Sequence, residues 1–240
     1  MVEPSARFEE VKIPLTEPAL GLEEVSGVLG VPRWWPTGGR VGVVLAHDAS
    51  SCMADPLIEQ LHRDLTELRY LTLRFNFPFA EAQRKRPDAV SVLRRTYRAA
   101  LGALGRDPGA APAHIFLGGA GLGAEVACDL AGSRVRADGL VILGYPLHPQ
   151  GRPEKTQADR LYRVVCPMLF VQGTRDRRCD LDALRRTLLR VGAPTTLHVC
   201  EEADHRFQVP KKSPRTPQNV QRELLATIDG WIQKMLEPSG

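Results

Sequence analysis

The chain has 240 residues, of which 25% are charged and 43% are apolar, close to the balance of an ordinary globular protein. This composition argues against a largely disordered chain, and the length is short for two full-sized domains. We therefore expect one domain over residues 1–240. The net charge is +4, and the sequence lacks the block of lysines and arginines that is typical of nucleic-acid binding.

Neither a membrane span nor a secretory signal is indicated. The longest apolar run, residues 168–171, is far shorter than the ~20 residues of a membrane-spanning helix, and residues 1–5 contain no apolar signal core. Five scattered cysteines without a C-x-x-C pair favour neither a disulfide framework nor a structural zinc site. We expect a cytoplasmic protein without membrane contact, metal or cofactor.

Short β-branched runs alternate with longer amphipathic segments along the chain. Residues 1–40 contain two strand-like pieces, 11–15 and 25–31, and predict a short antiparallel N-terminal segment. Buried strands are then predicted at 41–46, 70–75, 114–117, 139–143, 167–171 and 196–199. Helices are predicted at 55–68, 90–104, 181–191 and 220–236, with Asp55 as the N-cap of the first. This alternation predicts an α/β fold with a mostly parallel, doubly wound sheet and helices on both faces.

A glycine-rich turn follows the strand predicted at 114–117 and precedes a helix. A strand, a turn written G-x-S-x-G and a helix form the nucleophile elbow of α/β-hydrolases, in which strand and helix pack too closely for flanking side chains. Gly119 and Gly123 occupy the flanking positions, but Gly121 stands where the nucleophilic serine belongs. Leu122, the residue after that position, is expected to offer its N–H to an oxyanion hole.

An acid and a histidine follow later strands in the chain order that such enzymes use. Asp176 comes after the strand predicted at 167–171, and His205 comes after the strand predicted at 196–199. An acid in this place orients the imidazole and stabilises its protonated form. We therefore expect Asp176 and His205 to form a hydrogen bond, with His205 directed toward Gly121.

The loop after the strand predicted at 41–46 is the expected second donor to the oxyanion hole. It begins His47, Asp48, Ala49, where hydrolases of this kind often have a His-Gly pair. We place Asp48 and Ala49 at the hole together with Leu122. A carboxylate in this position opposes a developing oxyanion.

Several segments closely resemble one family. They are 74–79, 86–88, the elbow, 144–153, 170–176 and 203–205. The family is the group of α/β-hydrolase-like proteins that includes testis-expressed protein 30 and the NSL complex subunit 3, related more distantly to dienelactone hydrolases. The resemblance covers about residues 27–236 and implies an α/β-hydrolase fold, with Asp176 as the acid and His205 as the base. The sequence departs from the family's usual serine at Gly121 and from its usual glycine at Asp48.

Two other side chains are alternative nucleophiles. Ser50 and Cys52 lie on the predicted oxyanion loop, where His205 could reach them if the loop folds inward. The plainer interpretation is that these small residues form a turn and lead into the helix capped by Asp55. A third possibility is that His205 activates water directly.

The pocket is expected to be lined from two loops. His47 belongs to the loop after the first buried strand, and Tyr145 and His148 belong to the loop 144–156. The alternative for the second loop is a surface crossing without pocket contact. The loop 209–218, with three prolines and basic residues, is predicted to be solvated.

The sequence supports two main hypotheses about function. In the first, a protein of serine-hydrolase ancestry has lost catalysis and binds a small ester-like ligand or a protein partner. In the second, it hydrolyses small esters or lactones through a displaced nucleophile or a water molecule. A nucleic-acid binder ranks last, because only the basic loop and the sequence pI near 8.9 favour it.

Overall fold

Eight strands form one twisted sheet in the computed structural model, which describes residues 6–33, 40–106 and 111–237. In chain order the strands are β1 (Arg7–Ala19), β2 (Leu22–Val31), β3 (Val41–Ala46), β4 (Leu71–Phe75), β5 (His114–Ala120), β6 (Gly139–Leu143), β7 (Met168–Gly173) and β8 (Thr195–Cys200). Their order across the sheet is β1-β2-β4-β3-β5-β6-β7-β8. The pairs β1–β2 and β2–β4 are antiparallel, and all pairs from β4 to β8 are parallel.

The helices lie between the strands and after the last one. They are α1 (Pro56–Glu67), α2 (Pro78–Glu81), α3 (Val90–Leu104), α4 (Leu122–Ala131), α5 (Leu181–Leu188) and α6 (Pro217–Leu236), with a short 3-10 turn at Leu161–Arg163. One apolar cluster packs α3 and α4 on one face of the sheet, and a second packs α1 and α6 on the other face. This arrangement confirms the predicted doubly wound α/β fold.

The largest differences from the predicted elements are in the first two strands. Strands β1 and β2 are longer than the predicted pieces, because they pair as an antiparallel hairpin whose register shifts between Pro14 and Ala19. Strand β1 is at the edge of the sheet, where Pro14 is tolerated. Residues 1–5 and 34–39 of the predicted segment 1–40 lie outside the described residues. Strand β5 extends three residues beyond the predicted 114–117, and helix α5 ends three residues before the predicted 181–191 does. Helix α6 begins three residues earlier than predicted, because Thr216 and Asn219 form a reciprocal capping box before the first turn.

The predicted N-cap is present at α1, where the Asp55 carboxylate accepts the Leu57 N–H at 3.0 Å. Among the described helices, none combines the length and the apolar character that crossing a bilayer requires.

Candidate functional site

Four loops meet at the carboxyl ends of the strands, because β3, β5, β7 and β8 are parallel. The carboxyl end of β3 leads to Asp48, that of β5 to Gly121, that of β7 to Asp176 and that of β8 to His205. Residues far apart in sequence therefore converge at this end of the strands, as expected for an open α/β sheet.

The turn between β5 and α4 has the geometry of a nucleophile elbow. Gly121 is the N-cap of α4 and adopts φ +51° and ψ −114°, a conformation that strongly favours glycine. A Cβ atom on Gly119 would lie 2.5 Å from the carbonyl carbon of Gly123, and one on Gly123 would lie 2.4 Å from the Ala46 oxygen. The flanking glycines are thus required by the close packing of strand and helix, as the sequence predicts.

The predicted contact between the acid and the histidine is present. His205 Nδ1 lies 2.8 Å from Asp176 Oδ2, and the acid's side chain is fully buried while the imidazole is 17% exposed. Asp176 also accepts a hydrogen bond from Gln172 Nε2 at 2.6 Å and one from the Arg178 backbone N–H at 2.8 Å. These bonds fix the carboxylate so that it orients the imidazole.

His205 points toward Gly121, with its Nε2 atom 3.1 Å from the place where a Cβ on that residue would stand. Nδ1–H donates to Asp176, and Nε2 accepts a hydrogen bond from Arg178 Nη1 at 3.2 Å. These partners assign the neutral tautomer, with the Nε2 lone pair directed at the Arg178 guanidinium.

Asp48 occupies the space that a side chain at position 121 would need. A Cβ on Gly121 would lie only 2.0 Å from Asp48 Oδ1, far inside van der Waals contact. The same Oδ1 accepts the Leu122 N–H at 2.9 Å. The carboxylate therefore fills the nucleophile position and also takes the N–H that the sequence assigns to the oxyanion hole.

The site holds Asp48 in its ionised form. Burial opposes ionisation, but the N–H groups of Leu122 and Ala49, with the nearby side chains of His205 and Arg178, outweigh it, so the pKa of Asp48 lies below its usual value. Oδ2 lies 3.8 Å from both His205 Nε2 and Arg178 Nη1. The sequence predicts a carboxylate beside the oxyanion hole. In the structure the Asp48 carboxylate lies within the hole, where it accepts the Leu122 N–H.

The hydrogen-bond partners of the His205 ring are Asp176 and Arg178, and neither alternative nucleophile is among them. Ser50 Oγ donates to Asp48 Oδ2 at 3.2 Å and accepts from Arg206 Nη2 at 2.7 Å. Cys52 is half-buried, and it lies close enough to Arg74 to influence that guanidinium. Turn hydrogen bonds run through this loop toward α1, which agrees with the plainer interpretation.

The remaining cysteines are packing residues. Cys128, Cys179 and Cys200 are buried, and burial raises the pKa of each thiol. Burial also raises the pKa of Cys166 to about 11. Thiols held in the protonated form are poor nucleophiles.

Two of the three predicted pocket residues are core residues, which corrects the prediction. His47 is fully buried against Phe77 and Phe79, donates from Nδ1 to the Asp48 carbonyl and accepts the Phe77 N–H at Nε2. Tyr145 is also fully buried, and its hydroxyl donates to the Gln157 carbonyl. Both side chains are enclosed by the fold and so do not face an open pocket.

The loop 144–156 does border a cavity, of about 720 Å³, through His148, Gln150, Gly151 and Pro153. Asp176 borders this cavity, but Gly121 and His205 do not line it. His148 Nε2 accepts the Asp180 N–H at 3.0 Å, so this ring ties the loop to the segment before α5. The loop and His148 therefore line a cavity, but this cavity lies to one side of the elbow, and their place at a pocket around Gly121 stays a prediction.

Three further polar residues belong to the site and were not predicted. Gln172 and Arg178 hold Asp176 and His205, and Glu125 lies one turn into α4, where burial raises its pKa. Arg178 follows Asp176 by two residues in a turn closed by its own N–H, a local signal that could have indicated it. Within the described residues, no group of three or more His, Cys, Asp or Glu side chains could hold a metal ion.

Comparison with known proteins identifies the family of the chain. The model of a family described as an alpha/beta hydrolase domain matches residues 39–233, and the chain belongs to that family. A dienelactone hydrolase from Anabaena variabilis superposes with a TM-score of 0.73 at 18% identity, over 98% of this chain and 100% of that chain. An alpha-beta serine hydrolase homologue from Coxiella burnetii gives 0.70 at 18% identity, over 92% and 97%. A dienelactone hydrolase-like promiscuous phosphotriesterase from metagenomic libraries gives 0.69 at 18% identity, over 95% and 98%.

Proposed function

We propose that this protein has lost serine-based acyl transfer. It binds a small ester-like ligand or a protein partner at the carboxyl ends of the parallel strands, where Asp48 and His205 lie close together. The observation that carries the proposal is the Asp48 carboxylate, which fills the space of a side chain at Gly121. The names of the structural neighbours, two dienelactone hydrolase types and a serine hydrolase homologue, support the ester-like class of ligand.

Acyl transfer needs an attacking oxygen and free N–H donors for the tetrahedral oxyanion. Gly121 offers no attacking oxygen, and the Leu122 N–H is already bonded to Asp48. A second negative charge beside that carboxylate would be strongly disfavoured, because like charges repel at short range in a partly buried site. The Asp176–His205 pair is therefore present without the serine and the free N–H donor that acyl transfer requires.

Two finer assignments belong to the same proposal. The motifs shared with the group that includes testis-expressed protein 30 and the NSL complex subunit 3 support membership of that group. The five cysteines are scattered along the sequence and are all free thiols, which supports a reducing cytoplasmic location.

The test compares the unmodified protein with variants that rebuild the elbow. We expect the unmodified protein to hydrolyse p-nitrophenyl acetate at the buffer rate and to escape labelling by a fluorophosphonate probe. The double variant Asp48→Gly, Gly121→Ser should label with the probe and exceed both single variants in turnover, because it supplies Oγ and frees the Leu122 N–H. Adding His205→Gln to the double variant is the matched control and should abolish the gain.

Brisk ester turnover by the unmodified protein would overturn the proposal. If that turnover were also lost on Ser50→Ala or Cys52→Ala, the displaced-nucleophile hydrolase would be the correct function. A thiol-reactive probe applied to the same samples distinguishes these two side chains.

A further inference from the structure

The two oxygens of Asp48 lie in different surroundings. Oδ1 is held by the Leu122 N–H at 2.9 Å. Oδ2 faces the Ser50 hydroxyl at 3.2 Å, with His205 Nε2 and Arg178 Nη1 each 3.8 Å away. One oxygen is thus anchored, while the other is turned toward a base and a cation.

This arrangement has the parts that covalent catalysis by a carboxylate requires. An ionised carboxylate can form an ester intermediate, and an adjacent base with an orienting acid can then activate water. Asp48 is the carboxylate, His205 is the base with its lone pair at Nε2, and Asp176 is the acid. The N–H of Leu122 already contacts the oxygen on which charge would develop when that ester is hydrolysed.

We propose that Asp48 is a nucleophile toward small alkyl electrophiles with an anionic leaving group, and that water activated by His205 hydrolyses the resulting Asp48 ester. The inference rests on the proposed loss of serine chemistry, because it assigns the nucleophile's place to the residue that fills it.

The first step forms an ester and releases the leaving group. A lone pair of Oδ2 bonds to the sp³ carbon while the bond from that carbon to the leaving group breaks, and the leaving group departs as an anion with the electron pair. Arg178 Nη1, 3.8 Å from Oδ2, supplies the positive charge for that anion.

The second step restores the carboxyl group. His205 Nε2 takes a proton from water, and the water oxygen attacks Asp48 Cγ, which places the negative charge on Oδ1. Collapse expels the alkoxide containing the former Oδ2, which takes the proton from His205, and Asp48 then releases its own proton. The net reaction converts the electrophile and water into an alcohol, the leaving-group anion and a proton.

The geometry favours an alkyl over an acyl electrophile. Carboxylate attack on an acyl group gives a mixed anhydride, which readily returns to the starting ester, whereas attack on an sp³ carbon gives a stable ester. Size is restricted, because the Asp48 side chain is only 9% exposed. The Arg178 side chain is 37% exposed, and its hydrogen bond to His205 Nε2 must break before that lone pair can activate water, so this guanidinium shifts during the reaction while staying near Oδ2.

The test traps the ester with 1-bromobutane and locates it by peptide mass spectrometry. In a Cys52→Ala background, which removes a competing thiol, His205→Gln should accumulate a butyl ester on the Asp48 peptide. With His205 present the ester should clear about a hundredfold faster or more, the usual contribution of a general base. Asp48→Asn, which keeps the shape of the side chain, should show no adduct at residue 48.

A second measurement uses the protein without substitution. Turnover of 1-bromobutane in H₂¹⁸O should introduce ¹⁸O into the Asp48 carboxylate, since water attacks Cγ. The absence of both the trapped ester and the ¹⁸O label would overturn the inference, as would an ester that persists equally with and without His205. Neither outcome depends on the ester-hydrolysis assay above, so failure of the inference and failure of the proposed function are distinguishable.

Discussion

At the scale of single residues, position 121 combines a positive-φ backbone conformation that disfavours side chains with a neighbour, Asp48, that occupies side-chain space. Gly121→Ser should lower the free energy of unfolding by about 1–3 kcal/mol through its positive φ, with a further loss from the contact with Asp48. Denaturant unfolding monitored by circular dichroism measures this change, and Gly121→Ala should behave alike because the hydroxyl is not the cause.

A double-mutant cycle separates the destabilisation caused by the contact with Asp48 from that caused by the positive φ. In an Asp48→Gly background the same Gly121→Ser change should cost less, because the carboxylate 2.0 Å from the new Cβ is gone. Equal costs in the two backgrounds would mean that Asp48 moves away freely and does not block the position.

Asp48 also makes stability depend on pH. The pKa of Asp48 in the folded chain lies below its usual value, so the ionised carboxylate stabilises the folded chain. This stabilisation is fully present above the pKa of the unfolded chain, about 3.9, and is lost as pH falls through the lower folded pKa. Asp48→Asn should therefore flatten the decline in unfolding free energy below about pH 4. Urea unfolding at a series of pH values is the measurement. If Asp48→Asn left the decline at low pH unchanged, the hydrogen bonds that the carboxylate accepts from Leu122 and Ala49 would be contradicted.

The residues of the site were predictable to different degrees. Asp176, His205 and Gly121 follow strand ends in a fixed chain order, so sequence position alone brings them together. The rotamer of Asp48 and the placement of Arg178 depend on loop conformations, for which the sequence has no periodic signal. The carboxylate was therefore expected beside the oxyanion hole, and its occupation of the nucleophile's space was not.

At the scale of elements, α1 contains a buried histidine that should report on its packing against β2. His62 Nε2 donates to the Val28 carbonyl at 2.9 Å, while Nδ1 is buried without a partner. Burial, assisted by the charge of Arg74, lowers the pKa of His62 to about 3. The ring therefore stays neutral in the folded chain at pH values where it is protonated in the unfolded chain.

The consequence is a loss of stability with acidification. Between the unfolded pKa near 6.5 and the folded pKa of about 3, His62 should reduce the free energy of unfolding by up to about 1.4 kcal/mol per pH unit. His62→Gln should remove this slope in urea titrations from pH 7 to 4, even if it lowers stability at neutral pH. His114→Gln, at a more exposed histidine, is the matched control and should leave the slope in place.

Element positions were predicted best where burial and periodicity agree. Helix α3 and strand β6 have the predicted limits, because each has a complete apolar pattern bounded by breaking residues. The start of α6 was missed because Pro217 was assigned to a loop, whereas proline is favourable in the first turn of a helix. Tertiary pairing, which no local pattern contains, extended β1 and β2 into a hairpin.

At the scale of the whole molecule, the sheet has a paired centre and two open edges among the described strands. Strands β3, β5 and β6 each have neighbours on both sides, whereas β1 pairs only with β2 and β8 only with β7. The parallel centre was predictable from its continuous apolar runs. Which strands form the edges was not, because the order of strands depends on crossovers that no sequence pattern specifies.

Strand β8 is attached to the rest of the molecule by side chains as well as by β7. His198 Nε2 lies 2.7 Å from Glu223 Oε1 of α6, and Arg215 donates to the other oxygen of the same carboxylate. Because β8 precedes the loop that contains His205, these contacts connect helix α6 to the position of the base. Loosening them should affect that edge of the sheet before its centre.

Hydrogen exchange provides the test. Amides of β3, β5 and β6 should exchange at the rate of global unfolding, whereas the β8 amides that donate to β7 should exchange faster, through local opening of the edge. Glu223→Gln removes the charge held by Arg215 and should accelerate exchange in β8 and in the loop of His205 while leaving β5 unchanged. Gln233→Ala, which alters α6 at its far end where Nε2 donates to the Tyr70 hydroxyl, is the control and should leave β8 unchanged. If Glu223→Gln accelerated β5 and β8 by the same factor, the edge would not open as a separate unit, and α6 would stabilise the sheet only as a whole.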